Sequence, residues 1–232
     1  MHPIEGTKKM STMTPVGNDL DIQTAVQDEL EWTPDVDSAG IGVAVEAGTV
    51  SLSGEVDSYP KRIAATKAAL RVRGVNAVVD GLTVHPRSGW TVTETDIAKE
   101  VHRALKWASD VPDTVKATIE HHVVTLTGEV DWDFERRAAK RAVQYLRGVY
   151  SVDNLITLAA RPSAADAEER IKNALTRNAQ LDAAAIDATV SGETVTLTGT
   201  VRSWAEKQQA GWAAWASPHV SAVDNRIRVR TY

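Results

Sequence analysis

Hydrophobic positions recur at helical spacing at Ile22, Val26 and Leu30. The same i, i+4, i+8 stripe returns at Ile97, Val101 and Leu105, and again at Ala167, Ile171 and Leu175. Each stripe predicts an amphipathic helix with one buried face. Asp21, Asp96 and Asp166 fall in what the pattern makes the first turn, where a carboxylate favours the positive end of the helix dipole. Beyond each helix the period drops to two. Ile41, Val43 and Val45 alternate with small or polar residues, as do Val115, Ala117 and Ile119, and Ile186, Ala188 and Val190. A short turn (Ala47-Gly48, His121-His122 or Gly192-Glu193) leads into Val50-Ser51-Leu52, Val124-Thr125-Leu126 or Val195-Thr196-Leu197, which predicts a β-hairpin with one buried face.

A second helix follows a polar cap. Ser203-Trp204-Ala205-Glu206 fits a capping box, and Pro60 suits a first turn. Its interior is rich in alanine: Ala64, Ala65, Ala68 and Ala69, then Ala138, Ala139 and Ala142, then Ala210, Ala213 and Ala214. Gly74 and Gly148 stop it, and a last strand runs Val75 to Val84, Val149 to Leu158 or Val220 to Val229. The order α-β-β-α-β makes the last two strands parallel across a helical crossover and the hairpin antiparallel. The expected fold is α+β: two helices on one face of a three-stranded mixed sheet.

That unit is written three times. Thr125-Leu126-Thr127-Gly128 and Thr196-Leu197-Thr198-Gly199 repeat, with Ser51-Leu52-Ser53-Gly54 upstream, and Gly54, Gly128 and Gly199 stand 74 and 71 residues apart. A period near 70 is too long for a solenoid repeat and right for a small domain. The expected boundaries are a tail at 1–18, units at 19–85, 96–158 and 166–232, and linkers at 86–95 and 159–165. Gly54, Gly128 and Gly199 are expected at positive φ, or at a bulge, where glycine fits best.

The 232-residue chain has no cysteine, which removes disulfides, thiolate chemistry and Cys-based zinc sites. Its net charge of −5 is uneven: Lys+Arg against Asp+Glu is 6 to 11 in 19–88, 9 to 11 in 89–160 and 9 to 8 in 161–232. No dense basic stripe of the kind that binds nucleic acid is present. No apolar run reaches a membrane span, and Lys8 and Lys9 are not followed by a signal core. The expectation is a soluble, cytoplasmic protein, with a periplasmic one as the alternative.

Candidate chemistry is sparse. His121-His122 alternate across a hairpin turn and are poorly arranged for one metal; His2, His85, His102 and His219 follow no repeat. Gly40-Ile41-Gly42 opens a strand, which is the wrong setting for a dinucleotide loop. No nucleophile elbow, Walker loop or zincin motif occurs, so an enzyme is not expected. The seven tryptophans say more. Trp32 and Trp107 match in position and are expected to share a packing role, while Trp90 lies in the first linker and could pin one unit to the next. Trp212 stands where the other units have Lys67 and Arg141, and Trp215 where they have Leu70 and Gln144. With Trp204, Lys207 and Arg202 they form the candidate lipid- or partner-binding patch, either against a neighbouring unit or chain or against a membrane. Arg136, Arg137, Lys140, Arg141 and Arg147 make a basic strip, read as a solvated face partly neutralised by Asp131, Asp133 and Glu135.

V-x-L-x-G-x-V (Val50 to Val56, Val124 to Val130, Val195 to Val201), the alanine-rich helix, and G-V-x-x-V (Gly74 to Val78, Gly148 to Val152) together resemble the BON family. Asp153-Asn154 and Asp224-Asn225 also look like it; the first unit departs at Asp80-Gly81 and the third at His219. The resemblance implies a non-enzymatic protein of osmotic or envelope stress that binds phospholipid surfaces. It allows two further readings: a potassium-ion or small-ligand sensor built on backbone carbonyls, and a protein-interaction scaffold or holdase.

Overall fold

The computed structural model describes residues 16–86, 92–160, 167–178, 185–217 and 220–230. Three α+β units follow one another. The first comprises α1 (Val16–Trp32), β1 (Ile41–Glu46), β2 (Thr49–Val56), α2 (Tyr59–Arg71) and β3 (Ala77–Val84). The second comprises α3 (Glu94–Trp107), β4 (Lys116–Glu120), β5 (Val123–Thr127), β6 (Glu129–Val130), α4 (Asp133–Val143), β7 (Ser151–Asn154) and β8 (Thr157–Leu158). The third comprises α5 (Ala167–Arg177), β9 (Ile186–Ser191), β10 (Thr194–Val201), α6 (Trp204–Trp215), β11 (Ala222–Asn225) and β12 (Arg228–Val229).

In each unit the hairpin is antiparallel and the middle strand pairs in parallel with the last, so β2, β5 and β10 are central. A helical crossover permits that parallel pairing. The stripes expected from the sequence form the cores. Ile22, Val26 and Leu30 pack with Leu52, Ala68 and Leu82; Ile97 and Val101 with Leu126, Ala139 and Ile156; Ile171 and Leu175 with Leu197, Ala214 and Ile227. Removing one such leucine costs about 2–5 kcal/mol, a large share of what a unit this small can hold.

The hairpin turns explain two sequence oddities. Ala47-Gly48 and His121-His122 all take positive φ (49°, 74°, 51° and 64°), the type I′ geometry that matches strand twist. Gly54, Gly128 and Gly199 sit at φ 117°, 126° and 122°. At each, a Cβ would run into the backbone carbonyl just before the hairpin's first strand, at Gly40, Thr114 or Ala185. Glycine is therefore required twice over, by φ and by close approach.

Several expectations need correcting. Helix α1 opens at Val16 and α3 at Glu94, inside the segments read as tail and linker, because the polar turn before each apolar stripe carries no periodic signal. Thr93 caps α3, accepting from the Asp96 amide at 3.2 Å. Asp21 therefore lies beyond the first turn of α1, and Asp19 occupies it. Asp19 caps the hairpin instead, accepting from Ala47 and Gly48 amides at 2.8 and 3.0 Å. The last strand is continuous only in the first unit. In the others Asn154 and Asn225 turn their amide oxygens onto the N–H two residues on, at Ile156 and Ile227, and interrupt it. Asp80 accepts from the Leu82 amide in the same way, in a strand that stays unbroken, so that bond alone does not end the strand. Asp80 pairs with Leu52 as Asn154 pairs with Leu126 and Asn225 with Leu197, so the first unit replaces that asparagine by Asp80, not by Gly81.

Candidate functional site

The third unit's tryptophans lie along a seam between units. Ser203 caps α6 by accepting from the Glu206 amide at 3.2 Å, which places Trp204 at its first turn. Trp204 Nε1 donates to the Val75 carbonyl of the first unit at 3.1 Å, and Lys207 Nζ lies 5.0 Å from its ring centre. Farther along α6, the Arg136 guanidinium stands 4.6 Å over the Trp215 ring and that of Arg137 5.7 Å over Trp212. Both distances fall within the reach of a cation–π contact. Trp215 also packs on the third unit's core, while Trp212 keeps 42% of its surface exposed. Arg202 is exposed, and its amide donates to the Glu206 carboxylate at 3.1 Å.

Asp133, buried to 4% exposure, aims both arginines. Arg136 Nε lies 3.1 Å and Arg137 Nε 2.7 Å from its carboxylate oxygens. The basic strip is thus not simply a solvated face: Arg136 and Arg137 are half-buried between Asp133 and two tryptophan rings, and only Arg141 and Arg147 are exposed. Glu135 accepts from the Asp131 and Trp132 amides, both at 2.9 Å, and starts α4. The first two units join separately, through Tyr59 and Ile63 of α2 packed into the second unit's core.

Trp32 and Trp107 overturn their expected packing role. They are 85% and 81% exposed at the ends of α1 and α3. The signal was in the spacing: each lies two residues past the last leucine of its stripe, about 200° around the helix. Trp107 shares its face with Arg103 and Lys99, at i−4 and i−8, both exposed. Trp90 and His219 fall outside the described residues.

The histidine turn divides. His121 is exposed, 3.8 Å from Glu120, whereas His122 stacks on Tyr150 at 4.3 Å and its Nδ1 lies 2.9 Å from the Gly148 carbonyl. Among the described residues no three His, Asp or Glu side chains converge to hold a metal ion. Three exposed groups have shifted titrations. The Thr93 hydroxyl lowers the Asp96 carboxyl, and the Lys172 ammonium lowers that of Glu168 while being raised by it in return.

Three small α+β units, joined through their second helices, define a tandem array of like domains. A family model for the BON domain matches residues 18–86, 93–160 and 163–231. The chain belongs to the BON domain family. It is 32% identical over 157 residues to the osmotically-inducible protein Y of Escherichia coli (strain K12), covering 64% of this chain and 78% of that protein. The solved C-terminal domain of CdsD, the structural protein of the Type III secretion system of Chlamydia trachomatis, aligns over 91% of this chain and 98% of that one at 11% identity. Its TM-score of 0.26 is too low to bear on fold or function. No helix among the described residues is long and apolar enough to cross a membrane.

Proposed function

We propose that this chain is a non-enzymatic, stress-related binding protein that docks on phospholipid or envelope surfaces. The observation that carries the reading is Trp107, four-fifths exposed at the end of α3 with Arg103 and Lys99 on the same helical stripe. A ring that can enter the headgroup region beside cations that attract anionic lipid is the pairing interfacial binding requires. Trp32 offers a second, matching ring on the first unit. Trp204, Trp212 and Trp215 serve chiefly to hold the units together, so that weak contacts from tethered units act at high effective concentration. Family membership and the osmotically-inducible relative support the stress context.

Quenching by brominated phospholipid tests the assignment. Vesicles carrying the label should quench tryptophan emission in a Trp32→Phe chain, and that quenching should fall when Trp107 is also replaced by Phe. Quenching that persists in Trp107→Phe but vanishes in Trp212→Phe would move the surface to the third unit.

A further inference from the structure

The three units differ at one position that decides whether a helix side chain reaches the sheet edge. Gln23, Ala98 and Glu168 each follow the first residue of the buried helical stripe, at Ile22, Ile97 and Ala167. In the first unit Gln23 Nε2 donates to the Val43 carbonyl at 2.9 Å, covering the outer edge of β1. In the third, the Val190 amide of β9 is close enough to help lower the Glu168 carboxyl, which puts that side chain at the same edge. Alanine cannot reach. Beside Ala98 a groove of about 500 Å³ opens between α3 and β4.

Register identifies the bare groups. Val43 faces Leu52 as Ala117 faces Leu126, and Val190 faces Val195 as Ile119 faces Val124. In an antiparallel pair, alternate residues turn both main-chain groups away from the partner strand. The outward N–H and C=O in the second unit therefore belong to Ala117 and Ile119, and among the described residues nothing bonds to them from the outer side. The groove floor is apolar, from Ala98, Val101 and Leu105 on the helix and the Ala117 and Ile119 side chains on the strand. Its rim carries Lys106, Lys116 and His102 against one acid, Asp113.

We infer that this groove takes an extended acidic peptide segment, which adds as a strand to β4 and sets alternate apolar side chains between β4 and α3. A peptide main chain supplies both the donor and the acceptor that the edge lacks. A lipid acyl chain would fill the apolar floor but bury those groups unpaired. Carboxylates on the outward positions of the added strand meet the lysine rim. The groove occupies the flank of α3 beside the stripe of Lys99, Arg103 and Trp107, and the inference does not depend on the membrane reading.

The test uses the full chain and a fluorescein-labelled array of acidic peptides with alternating valine, read by anisotropy, with amide shifts mapped by NMR. Binding should shift β4 and α3 amides and should be lost when the peptide's edge-facing amides are N-methylated. Ala98→Gln installs the side chain that the first unit already carries, so it should fold and weaken binding at least about tenfold, one lost edge hydrogen bond being worth about that factor. Lys106→Glu with Lys116→Glu should weaken it further, and vesicle binding by Ala98→Gln should be unchanged. No binding by any peptide, equal binding of the N-methylated peptide, or competitive displacement by dodecanoate would each overturn the inference. Loss of vesicle flotation with peptide binding intact would overturn only the membrane reading.

Discussion

Gly199→Ala, set against Gly192→Ala in the same hairpin, isolates what the repeated glycine does. Both glycines have positive φ, 122° and 61°. At Gly192 an added Cβ meets nothing within 4 Å, so alanine there pays only the left-handed penalty of about 1 kcal/mol. At Gly199 the Cβ would overlap the Ala185 carbonyl oxygen, closer than real Cβ atoms come to backbone, and stand 3.1 Å from its carbon. Relief needs a shift on the order of 1 Å between β10 and the start of β9, where Gly199 faces Ile186; overpacking of that kind costs about 1–3 kcal/mol. Strained φ adds about 1–3 kcal/mol. Gly199→Ala should therefore be about 3 kcal/mol less stable than Gly192→Ala. For a unit of this size each kcal/mol moves the midpoint by about 4–8 °C, so the two should melt about 10–25 °C apart. Hydrogen exchange at β10 amides reads the third unit by itself, whatever the other units do. Equal exchange and equal melting in the two variants would refute the close-approach argument.

Asp133→Asn should cost about 2 kcal/mol and free both Arg136 and Arg137 from the tryptophans, read as loss of hydrogen-exchange protection on α4 and a red shift of tryptophan emission. Asn154→Ala removes bonds to the Arg136 carbonyl and from the Ile156 amide, and should destabilise the second unit by about 2 kcal/mol in chemical denaturation. Asp96 and Glu168, lowered first by Thr93 and Lys172 respectively, contribute stability that is complete above their ordinary values of 3.8 and 4.5 and is lost as pH falls through their lower folded values. Lys172 is raised above 10.5, so its share is complete below that pH and disappears as pH rises beyond it. Carboxyl NMR titration should find both acids titrating below those ordinary values.

The units themselves were legible because their signals are local. Helical stripes, alternating strands and the turn and bulge glycines each follow from a few consecutive residues, and triplication reinforced them. The seam was not. Trp212 and Trp215 read as unusual on a helix flank, but their partners, Arg136 and Arg137, lie some 75 residues upstream in another unit. No spacing rule links positions that meet only when two domains dock. Asp80 shows a subtler limit. It performs the backbone half of the asparagine's task, through Leu82, while its other oxygen holds Arg62 and Thr66 in place of an amide bond to the helix. Residue identity obscured that equivalence, and strand register restored it. The exposure of Trp32 and Trp107 could have been read from the helical angle, and the closed or open edge at Gln23, Ala98 and Glu168 only from coordinates.

Flotation of the purified chain with anionic and neutral vesicles, at low and physiological salt, tests the membrane reading most directly. The account predicts salt-weakened flotation with anionic vesicles alone, sharply reduced by Trp107→Ala with Arg103→Glu and little changed by Trp212→Ala. No flotation with either vesicle, or flotation that survives the Trp107 variant and is abolished by Trp212→Ala, would contradict it.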